Sequence, residues 1–167
     1  LTIYGNNCLR DIRGLGFLEG LETLTIINFG GEEIKIDTNL LKNLKSVTLT
    51  NCHDLCHIDD LIKIISIENL WINSCANLKI LSHDQNKLPH IKFLCIYNSP
   101  QIVPSNLCAF SGLWKLVLDG LSFQSIPDCL ADTMEILHIY NNDSLSKIDN
   151  IQRLKNLKEF RLTNNKL

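Results

Sequence analysis

The sequence predicts an α/β solenoid in about eight repeats, with a parallel sheet on its concave side and irregular, 3-10 or short-helical segments on its convex side. Three observations predict it. An apolar-x-x-apolar-x-apolar-x-x-(Asn/Cys/Ser) pattern recurs eight times, with core pairs Leu1/Ile3, Leu24/Ile26, Val47/Leu49, Leu70/Ile72, Leu94/Ile96, Leu116/Leu118, Leu137/Ile139 and Phe160/Leu162. By subtraction, the first members lie 23, 23, 23, 24, 22, 21 and 23 residues apart. Within each copy the two core residues are two apart, the alternation that points both side chains to one face of a strand. A unit this short cannot bury that face alone, so stacking its neighbours must do it.

The elements follow from the period. Each repeat opens on an apolar residue three before its first core residue: Leu21, Leu44, Ile67, Ile91, Leu113, Met134 and Leu157. The strand comes next, then an inward turn residue: Asn6, Phe29, Cys52, Cys75, Ser99, Leu121, Asn142 or Asn165. Asn there can bond backbone groups that would otherwise be buried without partners, and Cys is a small, weakly polar substitute. Phe29 and Leu121 cannot make that bond, so local bulges are expected after them. Further apolar residues then point inward: Leu9/Ile12, Leu55/Ile58, Leu78/Leu81 and Leu145/Ile148. Segments Asp59–Ile65 and Asn150–Leu154 are expected to form a helical turn. Those holding Pro89, Pro104 and Pro127 are expected to be irregular or 3-10. Strands ~4.8 Å apart give a ribbon on the order of 34 Å long.

A period in the twenties with this spacing resembles that of the leucine-rich repeats, whose sheet lines a horseshoe. Val47-Thr-Leu49-Thr-Asn-Cys52-His-Asp-Leu55-Cys-His-Ile58 resembles the L-x-L-x-x-C-x-x-L-x-x-I repeat of plant intracellular nucleotide-binding, leucine-rich-repeat immune receptors. Leu70-Trp-Ile72-Asn-Ser-Cys75-Ala-Asn-Leu78-Lys-Ile-Leu81 matches the same pattern, and Ile126-Pro127-Asp-Cys-Leu130 resembles their I/L-P-x-x-L element. The resemblance implies pathogen sensing, in which the array binds an effector or an effector-modified host protein and restrains a nucleotide-binding switch. The chain holds no G-x-x-x-x-G-K-[ST], so nucleotide binding is not assigned to it.

Composition narrows the function classes. The net charge of −2 and the scattered Lys and Arg give no general attraction to nucleic acid or anionic membrane. No apolar run of ~18 residues is present to span a bilayer. The chain begins and ends inside a repeat with no polar cap, so residues 1–167 are expected to be one array cut from a longer chain. Seven cysteines without a terminal cluster read as free thiols of a reducing cytosol or nucleus. The sequon Asn142-Asp143-Ser144 falls on an inward turn residue and is read as chance.

Side chains alternating with the core pairs face solvent on the concave sheet, and there the repeats differ. The early strands present mostly threonine, whereas later ones present Trp71, Phe93, Tyr97, His138 and Tyr140 as an aromatic patch. Lys115, Asp119 and Arg161, with Glu159, are expected to form its polar rim. Exposed Trp and Tyr are typical anchors of a protein interface, so these residues are the candidate partner-binding set.

Other constellations carry less. Cys52-His53-Asp54-Leu55-Cys56-His57 has neither haem-attachment spacing nor a second Cys/His pair at zinc-site distance, so no metal or cofactor is expected. Cys95 and His138 lie two strands, ~10 Å, apart, too far for an activated nucleophile, and Cys95 is expected to be exposed or half-packed. Acids stand beside both cations near the aromatic patch, which argues against nucleic acid. The expected function is protein recognition without enzyme activity. A substrate-recognition array of an F-box ubiquitin ligase, a bacterial repeat effector and a plain scaffold are the alternatives.

Overall fold

The computed structural model describes residues 1–5, 7–80 and 87–166. Its eight strands are β1 (Thr2–Tyr4), β2 (Thr23–Ile27), β3 (Ser46–Thr50), β4 (Asn69–Asn73), β5 (Phe93–Tyr97), β6 (Lys115–Asp119), β7 (Ile136–Tyr140) and β8 (Glu159–Thr163). They pair in chain order as one open parallel sheet, a solenoid-like α/β arrangement. Register holds throughout: Leu24, Val47, Leu70, Leu94, Leu116, Leu137 and Phe160 stand side by side.

The return segments hold little regular structure among the described residues. One helical turn, α1, spans Asp59–Ile62, and 3-10 turns span Arg13–Phe17, Pro104–Ala109 and Ile151–Arg153. Two of these lie within the segments read as helical from sequence. The Pro104 turn starts on the ring that its fixed φ favours. No described helix is long and apolar enough to cross a membrane.

The core lies between the sheet and the return segments. Core pairs from Leu24/Ile26 to Leu137/Ile139 are buried, as is the row Leu44, Ile67, Ile91, Leu113 and Met134. Each such side chain contributes about 1.5–3 kcal/mol on burial. Leu55, Ile58, Leu78 and Leu145 join them, while Leu9 and Ile148 are half-buried and Leu81 lies outside the described residues.

The turn residues from Phe29 to Asn142 are buried as their spacing predicts, Asn165 is half-buried and Asn6 lies outside the described residues. Their polar atoms bond between neighbouring coils as well as within the turn. Ser99 Oγ accepts from the Cys75 N–H at 3.1 Å, and Asn165 Oδ1 accepts from the Asn142 N–H at 3.1 Å. The Cys52 thiol donates to the carbonyls of Thr50 and Ile26, as Asn165 Nδ2 does to Thr163 and Ile139.

This explains how Leu121 is tolerated. The next coil's Asn142 accepts from Phe123 N–H at 3.0 Å and donates to its carbonyl at 3.3 Å. The expected bulge does not disturb the strand: β6 and β7 pair residue for residue from Lys115 to Asp119. At Phe29 the register is equally unbroken, and Gly30 N–H bonds Leu9 O instead. A Cβ on Gly30 would come within 2.1 Å of Asn7 O, so that path admits no side chain.

A second recurring geometry ends the strands. Asn28, Asn51, Ser74, Asn98, Gly120, Asn141 and Asn164 take φ between 46° and 65°. Asn and Gly are the residues that enter this left-handed region at least cost. Each sits four positions after its first core residue, and its coil leaves the sheet there.

The cysteines depart from expectation. Cys108 and Cys129 form a disulfide, with Cα atoms 5.1 Å apart. Cys8, Cys52, Cys56, Cys75 and Cys95 remain thiols. The return segments that follow β5 and β6 lie side by side in neighbouring coils, which brings two residues 21 apart in sequence into contact.

Candidate functional site

The outer face of β4–β7 carries the aromatic side chains the sequence singled out. Trp71 on β4 and Phe93 on β5 meet edge to face, with centroids 4.9 Å apart and planes at 68°. Lys115 on β6 places its Nζ 5.3 Å from the Phe93 ring centroid, a cation–π contact. Tyr97 lies further along β5, beside Asp119 on β6 and across from Asn73 on β4. Each of these six side chains is half-buried.

Tyr97 is held by what is under it. Its hydroxyl meets the Cys95 thiol, which with burial pushes the phenol up to about 12. The phenol therefore stays neutral and keeps its donor near neutral pH. Burial pushes the Cys95 thiol up as well. Cys95 is only 3% exposed, so the expectation of an exposed or half-packed thiol does not hold. The large side chains around it cover it.

His138 is covered as well. It is 9% exposed, although alternation along the strand points it to solvent. Its Nε2–H donates to Glu159 Oε1 at 3.0 Å, and the same oxygen forms an ion pair with Arg161 Nε at 2.6 Å. A carboxylate only accepts, which places the ring proton on Nε2. Tyr140 lies against the imidazole with centroids 5.8 Å apart. His138 thus fixes Glu159 and supports Tyr140, while Arg161 reaches solvent with a side chain 61% exposed.

Asp119 belongs to a side-chain chain that crosses strands. It accepts from Asn141 Nδ2 at 2.8 Å, and Asn141 Oδ1 accepts from Asn164 Nδ2 at 2.9 Å. The polar rim is therefore organised on both sides of the aromatic centre. The structure thus gathers Trp71, Phe93 and Lys115 in one group, and His138, Tyr140 and Arg161 with Glu159 in a second. Tyr97 and Asp119 stand between the two.

One feature escapes a reading limited to the strand rows. Two residues before each first core residue stand Glu22, Lys45, Glu68, Lys92, Trp114, Glu135 and Lys158. Charge alternates from rung to rung, so like charges are never neighbours along the sheet margin. Lys158 and Glu135 close to 2.9 Å. Trp114 interrupts the row and is 41% exposed, directly preceding Lys115. Applying the same period at this position would have found it.

The structure does not bring Cys95 and His138 together. Cys95 and His138 stand on β5 and β7 with Val117 paired between them. Among the described residues, no group of three or more His, Cys, Asp or Glu could hold a metal ion. Cys52 serves the turn, and His57 Nδ1 is buried without a hydrogen-bond partner. No family model and no curated protein matches the chain.

Proposed function

We propose that this chain is a leucine-rich-repeat array that recognises another protein through the outer, concave face of β4–β7. The observation that carries the reading is the Trp71–Phe93 ring pair, with Tyr97 further along β5 and organised polar groups on the flanks. Half-buried aromatic side chains held by neighbours lose little freedom on binding, which is what interface anchors need. The proposed setting is a plant intracellular immune receptor, supported by the L-x-L-x-x-C repeats at Val47 and Leu70. In that setting the array binds a pathogen effector or a host target, and other domains of the same receptor. The five thiols that remain unpaired suit the cytosol or nucleus. Binding without catalysis is favoured by a thiol at Cys95 that holds its proton and an imidazole at His138 tied to Glu159.

Site-directed photo-crosslinking in plant cells tests it. A photoreactive side chain in place of Tyr97 should capture one defined partner. The same group in place of Thr50, in the same outward row on β3, should not. Equal capture from both positions, or from neither, would remove the assignment of the face.

A further inference from the structure

We infer that Cys108 and Cys129 form a redox-active site, exchanging with small thiols and disulfides of the glutathione class, that sets how firmly neighbouring coils are held together. Its bearing on recognition rests on the concave-face reading; the chemistry itself does not.

The geometry points to exchange. Both cysteines are half-buried and line one surface recess of about 360 Å³, with Pro104, Ser105, Pro127, Asp128 and Asn150 around them. A tripeptide-sized thiol can enter such a recess and approach a sulfur. The free thiols have no such pairing: Cys52, Cys75 and Cys95 are buried, and exposed Cys8 and half-buried Cys56 are in no disulfide. Proline at positions 104 and 127 restricts the backbone on both sides of the bond. The cysteine pair therefore stays close after the bond opens, and closure can recur.

The position gives the bond a mechanical role. Cys108 lies in the 3-10 turn between β5 and β6, and Cys129 lies between β6 and β7. The crosslink thus ties the return segments of the two coils that present Phe93, Tyr97, Lys115 and Asp119. Nothing comparable links the described coils of β1–β4, which rely on packing and hydrogen bonds alone.

Reduction proceeds by two exchanges. A glutathione thiolate attacks one sulfur; the Cys108–Cys129 bond breaks and a mixed disulfide forms, while the other cysteine leaves as thiolate and takes a proton from water. A second glutathione thiolate attacks the mixed disulfide and releases oxidised glutathione and the second cysteine thiol. Two electrons pass from two glutathione thiols to the cysteine pair, and oxidised glutathione reverses the sequence.

The test uses the whole chain in defined mixtures of reduced and oxidised glutathione, with no binding partner. Alkylation mapped by peptide mass spectrometry reads the sulfurs, and hydrogen exchange reads the coils. Cys108 and Cys129 should be protected together in oxidised buffer and labelled together in reduced buffer, reversibly. Cys8 should label in both, and Cys52 and Cys75 in neither. On reduction, exchange should rise in segments 100–112 and 121–134, by at most on the order of a hundredfold for a loop of this length, and stay unchanged in β2 and β3. The Cys108→Ser/Cys129→Ser variant should behave as the reduced form in both buffers. If that variant does not fold, the buffer-driven change in the native chain still decides. Independent labelling of the two cysteines, or unchanged exchange on reduction, would overturn the inference. Neither outcome touches the crosslinking result at Tyr97, so the two readings fail separately.

Discussion

Strands β1–β3 and strands β4–β7 share one backbone and one register but present different outer faces. On β2 and β3 the middle outward residues are Thr25 and Thr48, half-exposed between buried core residues. On β5, β6 and β7 the same position holds Cys95, Val117 and His138, each 9% exposed or less. The backbone does not cause this, because the pairing is identical. Side-chain size does: Phe93, Tyr97, Lys115 and Tyr140 lean over the middle row, whereas Thr23, Ser46 and Thr50 are too short to do so. A face that covers its own centre presents rigid apolar surface with polar edges, and a threonine face presents hydrated hydroxyls. A repeat can thus keep one core and change only what its outer face presents.

The inner face should erase that contrast. Leu49→Ala and Leu94→Ala should each cost about 2–5 kcal/mol in denaturant unfolding, since both side chains are fully buried. A neutral result at either would break the shared register on which the comparison stands. Asn142→Ala should come next, at about 1–3 kcal/mol, because it leaves the buried Phe123 N–H and C=O without their partner.

The outer face should then separate the regions. A double-mutant cycle on Trp71 and Phe93 should return a coupling of about 0.5–1.5 kcal/mol for the edge-to-face pair. Thr25→Ala and Thr48→Ala should stay within about 0.5 kcal/mol of wild type. The smallest effect concerns pH. Because the folded phenol of Tyr97 is raised, its contribution to stability is complete below pH 10.0, the free value, and fades as pH climbs toward about 12. Tyr97→Phe should remove the late component of the tyrosinate absorbance titration.

Sheet, register and core were legible in the sequence because each is set by the spacing of apolar residues. The inward turn position was legible too, including the use of Asn there to bond backbone groups. What escaped depends on contacts between coils. Nothing in the spacing tells that Asn142 reaches back to serve Leu121's turn, since that requires the shift from Leu121 to Phe123. The joining of Cys108 to Cys129 depends on how two irregular segments stack, and such segments carry no period. His138 looked free because alternation gives direction, not cover; Glu159 and Tyr140 supply the cover from other positions. The left-handed Asn position and the alternating margin that includes Trp114 were readable from the period, one and seven positions from the inward turn residue respectively.

Under the proposed function, recognition belongs to β4–β7 and not to β1–β3. Calorimetric affinity for the partner captured through Tyr97 tests it most directly, comparing Trp71→Ala/Tyr97→Ala with Thr25→Ala/Thr48→Ala. The first pair should weaken binding by about thirtyfold or more, the loss of an interface hot spot worth ~2 kcal/mol, with the fold intact by circular dichroism. The threonine pair should leave affinity within about twofold of wild type. Equal losses, or a larger loss from the threonines, would contradict the account.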